Sequence, residues 1–226
     1  MNVLLLRFSA PMQSWGVQSR FSVRDTGREP SKSGVIGLLC AALGRPRAEP
    51  VDDLAALRMG VRVDQEGSVA YDYQTAMEIY KAGGSGTKPT EISRRYYLAD
   101  ARFLVGLAGD DLELFARLHE GLRDPHWPLY LGRKAFVPGE PVWLADGLRR
   151  DTDLLETLES YPWLGPDWRQ PAEQLRVVLE NPDGPQVRSD QPISFADRRF
   201  APRHVRTTFV PTPSDKKEDG PCTSPD

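Results

Sequence analysis

The chain has 226 residues, 39% hydrophobic and 27% charged, with a formal net charge of −3, which is length enough to bury a substantial core. No run approaches the ~20 apolar residues of a membrane span, and Met1-Asn2 leads straight into Val3-Leu4-Leu5-Leu6 without a basic region or cleavage site, so a cytoplasmic protein is expected. Two cysteines, Cys40 and Cys222, and three scattered histidines supply neither a disulfide framework nor a metal-ligand cluster; no metal or cofactor is expected.

The net charge hides a segregation. Residues 1–47 carry seven Lys/Arg against two acids, and residues 188–206 carry five Arg against two. Residues 151–183 hold eight acids and two Arg. A polyanion could dock where the two basic segments fold together, with the acidic stretch facing elsewhere; either segment alone reads as a solvated face.

In chain order, Val3–Phe8 is a continuous apolar run ahead of Pro11, the pattern of a strand buried on both faces. Ser31 or Ser33 can cap a helix over Gly34–Gly44, apolar nearly all round and ended by Gly44 and Pro46. Arg58–Asp64 and Val69–Ala76 read as strands joined at Gly67-Ser68. The Gly-rich Lys81–Pro89 segment, ahead of the strand-like Ser93–Leu107, suggests a projecting hairpin or an irregular surface loop. Asp110–Arg123 spaces Leu112, Phe115, Leu118 and Leu122 as an amphipathic helix. Strand-like residues follow within Tyr130–Leu144, at Leu175–Leu179 and at Arg206–Val210; from Pro211 the polar tail is expected to be disordered. The order fits an α+β, ferredoxin-like core, β-α-β-β-α-β, with a projecting β-hairpin and extra C-terminal strands, a topology shared with RNA-recognition modules.

Four places could hold an RNA. At Ser31, Lys32 and Ser33 a helix start offers free N–H groups, hydroxyls and a cation to a phosphate, or is an ordinary cap; no Walker pattern surrounds it. Gln13 and Trp15, after the first strand, offer an amide for a base edge and a stacking ring, or Trp15 plugs the core. Gly132, Arg133 and Lys134 combine close backbone approach with two cations. Arg94, Arg95 and Tyr97 pair guanidinium and aromatic groups at the base of the hairpin.

The segments Leu4–Gly16, containing Pro11-Met12-Gln13-Ser14-Trp15-Gly16, and Thr26–Leu39, containing Arg28 and Pro30-Ser31-Lys32-Ser33-Gly34, resemble the "five" family of CRISPR-associated proteins in its type I-E form. These belong to the RAMP superfamily. Asp72–Thr75, Arg95–Ala101, Tyr130–Lys134 and the Arg199-Phe200-Ala201 region extend the resemblance to about Val210. It implies a single RAMP-type domain over residues 1–210 with a thumb insert at about 78–97 and a polar tail over 211–226. It also implies a subunit of the Cascade surveillance complex that grips the 5′ handle of the CRISPR RNA and caps the assembly. Its neighbours would be the backbone subunit CasC, the large PAM-reading subunit CasA, and target DNA near the start of the guide heteroduplex, with Arg28 and Arg199 among the RNA contacts.

A sister subtype cuts the repeat itself, and acid–base RNA cleavage generally enlists a histidine. Residues 1–118 contain none, and His119 and His126 read as structural, so no catalytic residue is expected. The competing reading is a metal-independent endoribonuclease that processes CRISPR repeats. A small-molecule enzyme would need a nucleotide fingerprint that the sequence lacks.

Overall fold

In the computed structural model, which describes residues 1–18 and 22–213, the chain is a mixed α/β protein built on antiparallel sheets. Strand β1 (Asn2–Ser9) lies next to the edge strand at one end of a seven-stranded sheet. Short strands β2 (Met12–Gln13) and β3 (Val23–Arg24) precede helix α1 (Lys32–Leu43). A short helix α2 (Asp52–Ala55) leads to β4 (Arg58–Gln65), then to the long pair β5 (Ser68–Tyr80) and β6 (Thr87–Ala99). Next come β7 (Arg102–Gly109), α3 (Leu112–Arg123), β8 (Trp143–Arg149) and α4 (Leu154–Ser160). Finally β9 (Gln174–Glu180), β10 (Gln186–Ser194) and β11 (Arg199–Pro211) complete the sheet in the order β10-β11-β9-β4-β7-β1-β8.

The expected buried strand lies between β7 and β8, and its alternation serves two cores. Leu4, Leu6 and Phe8 face the larger core with Val35, Ile36, Leu39, Phe115 and Leu118 of α1 and α3. Val3 and Leu5 face a second core closed by Leu154 and Leu158 of α4. Helix α1 is capped as its sequence demands: the Ser31 side chain accepts from the Gly34 amide, and Gly44 closes the helix at φ 72°. The expected amphipathic helix is α3, with Asp111 as its N-cap.

Several features depart from expectation. Helix α4 and strand β10 fall on residues for which no element was foreseen. Helix α4 is only seven residues long, and the buried Arg62 closes its end by donating to the Leu158 and Tyr161 carbonyls at 2.5 and 2.6 Å while paired with Asp64. Residues 130–142, expected to include strand, form a loop packed against β1 and the segment after β2; only Trp143 onward pairs. The hairpin is longer than the expected 78–97 insert, because Val69–Ala76 belongs to it rather than to the body. The expected Ser93–Leu107 strand is split at Asp100, whose φ of 57° turns the chain from β6 into β7. The tail beyond Thr212-Pro213 lies outside the described residues.

The hairpin forms a second sheet with its own logic. β5 pairs along the whole of β6, Ser68 opposite Ala99 through Tyr80 opposite Thr87, a reach of roughly 44 Å for thirteen residues. On the other side of β6, β2 pairs at Leu98 and Ala99, and β3 runs parallel beside Arg94 and Arg95. Most of its residues are exposed, so its stability rests on cross-strand pairs and on these two short flanking strands.

Candidate nucleic-acid interface

The two sequence segments that looked most like a binding site pack against each other. Trp15 is 2% exposed; its ring stacks on Phe8 with centroids 5.3 Å apart, and its Nε1 donates to Gln13 Oε1 at 3.3 Å. Gln13 is fully buried, its Nε2 donating to the Phe8 and Ala101 carbonyls at 3.3 and 2.7 Å. The Trp15 amide donates to Thr26 Oγ1 and its carbonyl accepts from the Gly27 amide. A Cβ on Gly34 would sit 3.0 Å from the Trp15 ring, which explains the glycine after Ser33. Gln13 and Trp15 are therefore corrected from RNA contacts to the clasp that fixes β2 against the start of α1: a fully buried amide and ring have no face left for a base.

Lys32 is corrected likewise. It is 1% exposed, and its Nζ lies 2.9 and 3.0 Å from the two Glu180 oxygens. Its amide donates to Asp190 at 2.7 Å, and Asp190 is held in turn by Arg203. Burial lowers the Lys32 pKa, with Glu180 opposing that shift. The lysine thus neutralises a carboxylate inside the protein, and no phosphate is needed. Ser31 is buried and spent on its cap, while Ser33 is half-buried, its hydroxyl 3.5 Å from that of Ser31.

Other residues are brought together at the base of the hairpin. Because neighbouring strand residues point to opposite faces, Arg94 and Arg95 diverge. Arg95 shares its face with Arg24 of β3, its register partner, and with Asp72 of β5. The loop after Tyr130 lowers Arg133 onto this face. Gly132, at φ 92°, makes that approach possible, since a Cβ there would meet the Ser14 carbonyl oxygen at 1.7 Å. The Arg133 guanidinium lies over the Phe136 ring at 5.3 Å and donates to the Tyr96 carbonyl at 2.7 Å. Burial lowers its pKa, as do the like charges of Arg95 and Arg24, with Asp72 and Asp25 opposing. Tyr97 is half-buried against Phe136, and Lys134 and Arg28 are exposed.

Three guanidinium groups lie near one another with Asp72 and Asp25 close by but without an ion pair to hold them among the described residues, an arrangement suited to an anion. Among the described residues, Arg24, Arg28, Arg94, Arg95, Arg133 and Lys134 make no ion pair, whereas Arg7, Arg45, Arg176, Arg188 and Arg203 all do. The two basic segments do meet, but through neutralising contacts such as Arg188 with Glu29 and the Lys32 amide with Asp190, and no arginine of residues 188–206 joins this cluster. Arg199 opens β11 beside the edge strand β10, separated from β1 by β9, β4 and β7, and does not join the cluster. Sequence reasoning missed Arg24 as a contact; it stood in a stretch assigned to no element, and its signal was its place in the basic first segment. It also missed Tyr71 and Tyr73, which looked like ordinary strand residues of the body. His119 Nε2 donates to the Leu144 carbonyl at 3.0 Å and the ring lies against Trp143, a packing role. Among the described residues no group of metal-ligating side chains is present, and no helix is long and apolar enough to cross a membrane.

Comparison with known proteins follows the same lines. The family described as CRISPR-associated protein (Cas_Cas5) matches residues 3–206. The CRISPR system Cascade subunit CasD of Escherichia coli strain K12 is 33% identical over 181 residues, covering 73% of this chain and 79% of CasD. A solved structure described as a Cas protein shares 46% identity at a TM-score of 0.78, covering 94% of this chain and 98% of its own. A chain of a CRISPR RNA-guided surveillance complex shares 32% identity at a TM-score of 0.76, covering 94% and 91%. The fold, the length matched and the level of identity agree: this chain belongs to the Cas5 family of CRISPR-associated proteins.

Proposed function

We propose that the chain is the non-catalytic subunit of a type I-E Cascade complex that holds the 5′ handle of the CRISPR RNA and caps the assembly in the cytoplasm. The observation that carries this reading is the Arg24–Arg95–Arg133 cluster at the base of the hairpin, in which no arginine makes an ion pair among the described residues, with Lys134 next to Arg133 in the loop and Arg94 on the opposite face of β6. Kinship to a Cascade subunit and to a chain of an RNA-guided surveillance complex supports it. In this reading β8-β1-β7-β4 with α1 and α3 is a ferredoxin-like core, since its strand order is that of the β-α-β-β-α-β fold, and the β5–β6 hairpin is the thumb. Residues 1–210 form one RAMP-type domain. Gly132 lets the loop approach, Tyr97 braces it through Phe136, and Arg199 is a separate peripheral contact. CasC, CasA and target DNA near the start of the guide are its neighbours.

Sequence discrimination is left to base pairing by the guide, so the protein needs cations and shape more than base-edge contacts. The test is co-expression with the other Cascade subunits and a CRISPR array. Arg95→Ala and Arg133→Ala are expected to lower the RNA that co-purifies with the complex while the isolated chain keeps its unfolding midpoint. Undiminished RNA in both variants contradicts the assignment.

A further inference from the structure

The opposite face of the hairpin carries no such cation cluster, and beyond the buried Leu98 and the half-buried Tyr96 at its root it is exposed. Its register aligns Val69, Tyr71, Tyr73, Thr75 and Met77 with Leu98, Tyr96, Arg94, Ile92 and Thr90. Tyr71 and Tyr73 are 57% and 56% exposed, and Val23, Val69 and Ile92 are exposed beside them. A contiguous apolar sheet face of this kind on a protein surface marks an interaction site.

Its chemistry selects the occupant. The aligned positions of this face include the cations Arg94 and Lys88 and no carboxylate, and Lys88 meets Glu91 from the other face. Tyr71 and Tyr96 already pack ring to ring, 5.7 Å between centroids, which leaves the outer surfaces of Tyr71 and Tyr73 as two flat rings one strand repeat, about 6.8 Å, apart. Exposed rings on a sheet with a cation and without acids suit unpaired bases, whose π-faces stack on tyrosine whatever their identity while the guanidinium meets phosphate. Arg94 and Arg95 project to either side of the same strand, so an RNA crossing the base of the hairpin meets phosphate-binding groups on one side and stacking groups on the other.

We propose that Tyr71 and Tyr73, with Arg94, form a base-stacking platform for single-stranded RNA on the outer face of the hairpin. This inference rests on the RNA-holding reading and adds a second, uncharged mode of grip to it.

The test compares the full chain's binding of a labelled oligoadenylate with an abasic ribose-phosphate strand of equal length and charge. The wild-type chain is expected to prefer the oligoadenylate by about tenfold, a modest stacking contribution. Tyr71→Val and Tyr73→Val abolish that preference and leave abasic binding unchanged, Tyr73→Phe keeps it, and Arg95→Ala weakens both strands alike. Equal binding of the two strands by wild type, or an undiminished preference in both valine variants, overturns the platform while leaving RNA holding intact. Valine variants that keep the preference but fail to assemble with the other Cascade subunits make the face a protein-docking surface and overturn it also. Failure of wild type to bind either strand removes the RNA-holding reading itself.

Discussion

Replacing Lys32 by Met separates the two roles that the Pro-Ser-Lys-Ser-Gly segment suggests. Methionine keeps much of the volume and removes the charge. In the wild-type chain Glu180 receives Lys32 Nζ at 2.9 Å and the Met59 amide at 3.2 Å, with Arg203 Nη1 at 3.9 Å. After the change the carboxylate keeps only the amide and the more distant arginine, while its other neighbours remain protein. Breaking a buried pair by removing one partner costs about 3–5 kcal/mol; Glu180 is one-fifth exposed, so partial rehydration places the expected loss near 3 kcal/mol. For a chain of this size that lowers Tm by roughly 6–12 °C. Urea unfolding followed by circular dichroism measures the loss. The double variant Lys32→Met/Glu180→Leu is expected to recover much of it, since a buried ion pair replaced by apolar groups is often nearly neutral. A Lys32→Met chain of wild-type stability that has lost RNA would refute this reasoning and return Lys32 to the RNA.

Trp15→Ala leaves a cavity beside Phe8 and strips Gln13 of a partner, with an expected cost of about 3–5 kcal/mol in denaturant unfolding. Gly132→Ala drives a Cβ into the Ser14 carbonyl oxygen and holds alanine at φ 92°, so about 2 kcal/mol or more is expected, with weaker RNA binding as Arg133 is displaced. Cys40 is buried, which pushes its thiol pKa up to about 11; the thiolate is therefore scarce at pH 8, and iodoacetamide is expected to leave the Cys40 peptide unmodified in the folded chain and alkylate it in urea, as read by mass spectrometry.

The fold was legible where one local rule decides an element. A continuous apolar run made β1, a serine cap and αL glycine bounded α1, and an apolar stripe made α3. It was obscured where the deciding partner lies far along the chain. Helix α4 is closed by Arg62, about a hundred residues earlier, and β10 is held through Asp190 to Arg203 and the Lys32 amide. The same distance effect misled the site reading. Lys32 and Trp15 have the composition of ligand-binding residues, and only the fold reveals Glu180 and Phe8 as their partners. Conversely, Arg24 gains meaning only because a parallel pairing sets it beside Arg95. The motifs that carry the family resemblance thus include both the structural clasp between β2 and α1 and, through Arg95–Ala101 and Tyr130–Lys134, two of the three clustered arginines, whereas Arg24 lies outside them.

The most direct test of the central claim is to titrate the purified chain with CRISPR repeat RNA over a series of salt concentrations in EDTA, reading binding and RNA integrity together. With three arginines each neutralising one phosphate, the log–log salt slope is expected to be about −2 or steeper, to fall by about 0.7 in Arg95→Ala, and the RNA to stay intact. Cleavage at a defined position in the repeat, abolished by a single side-chain change, would contradict the account and make the chain a processing ribonuclease.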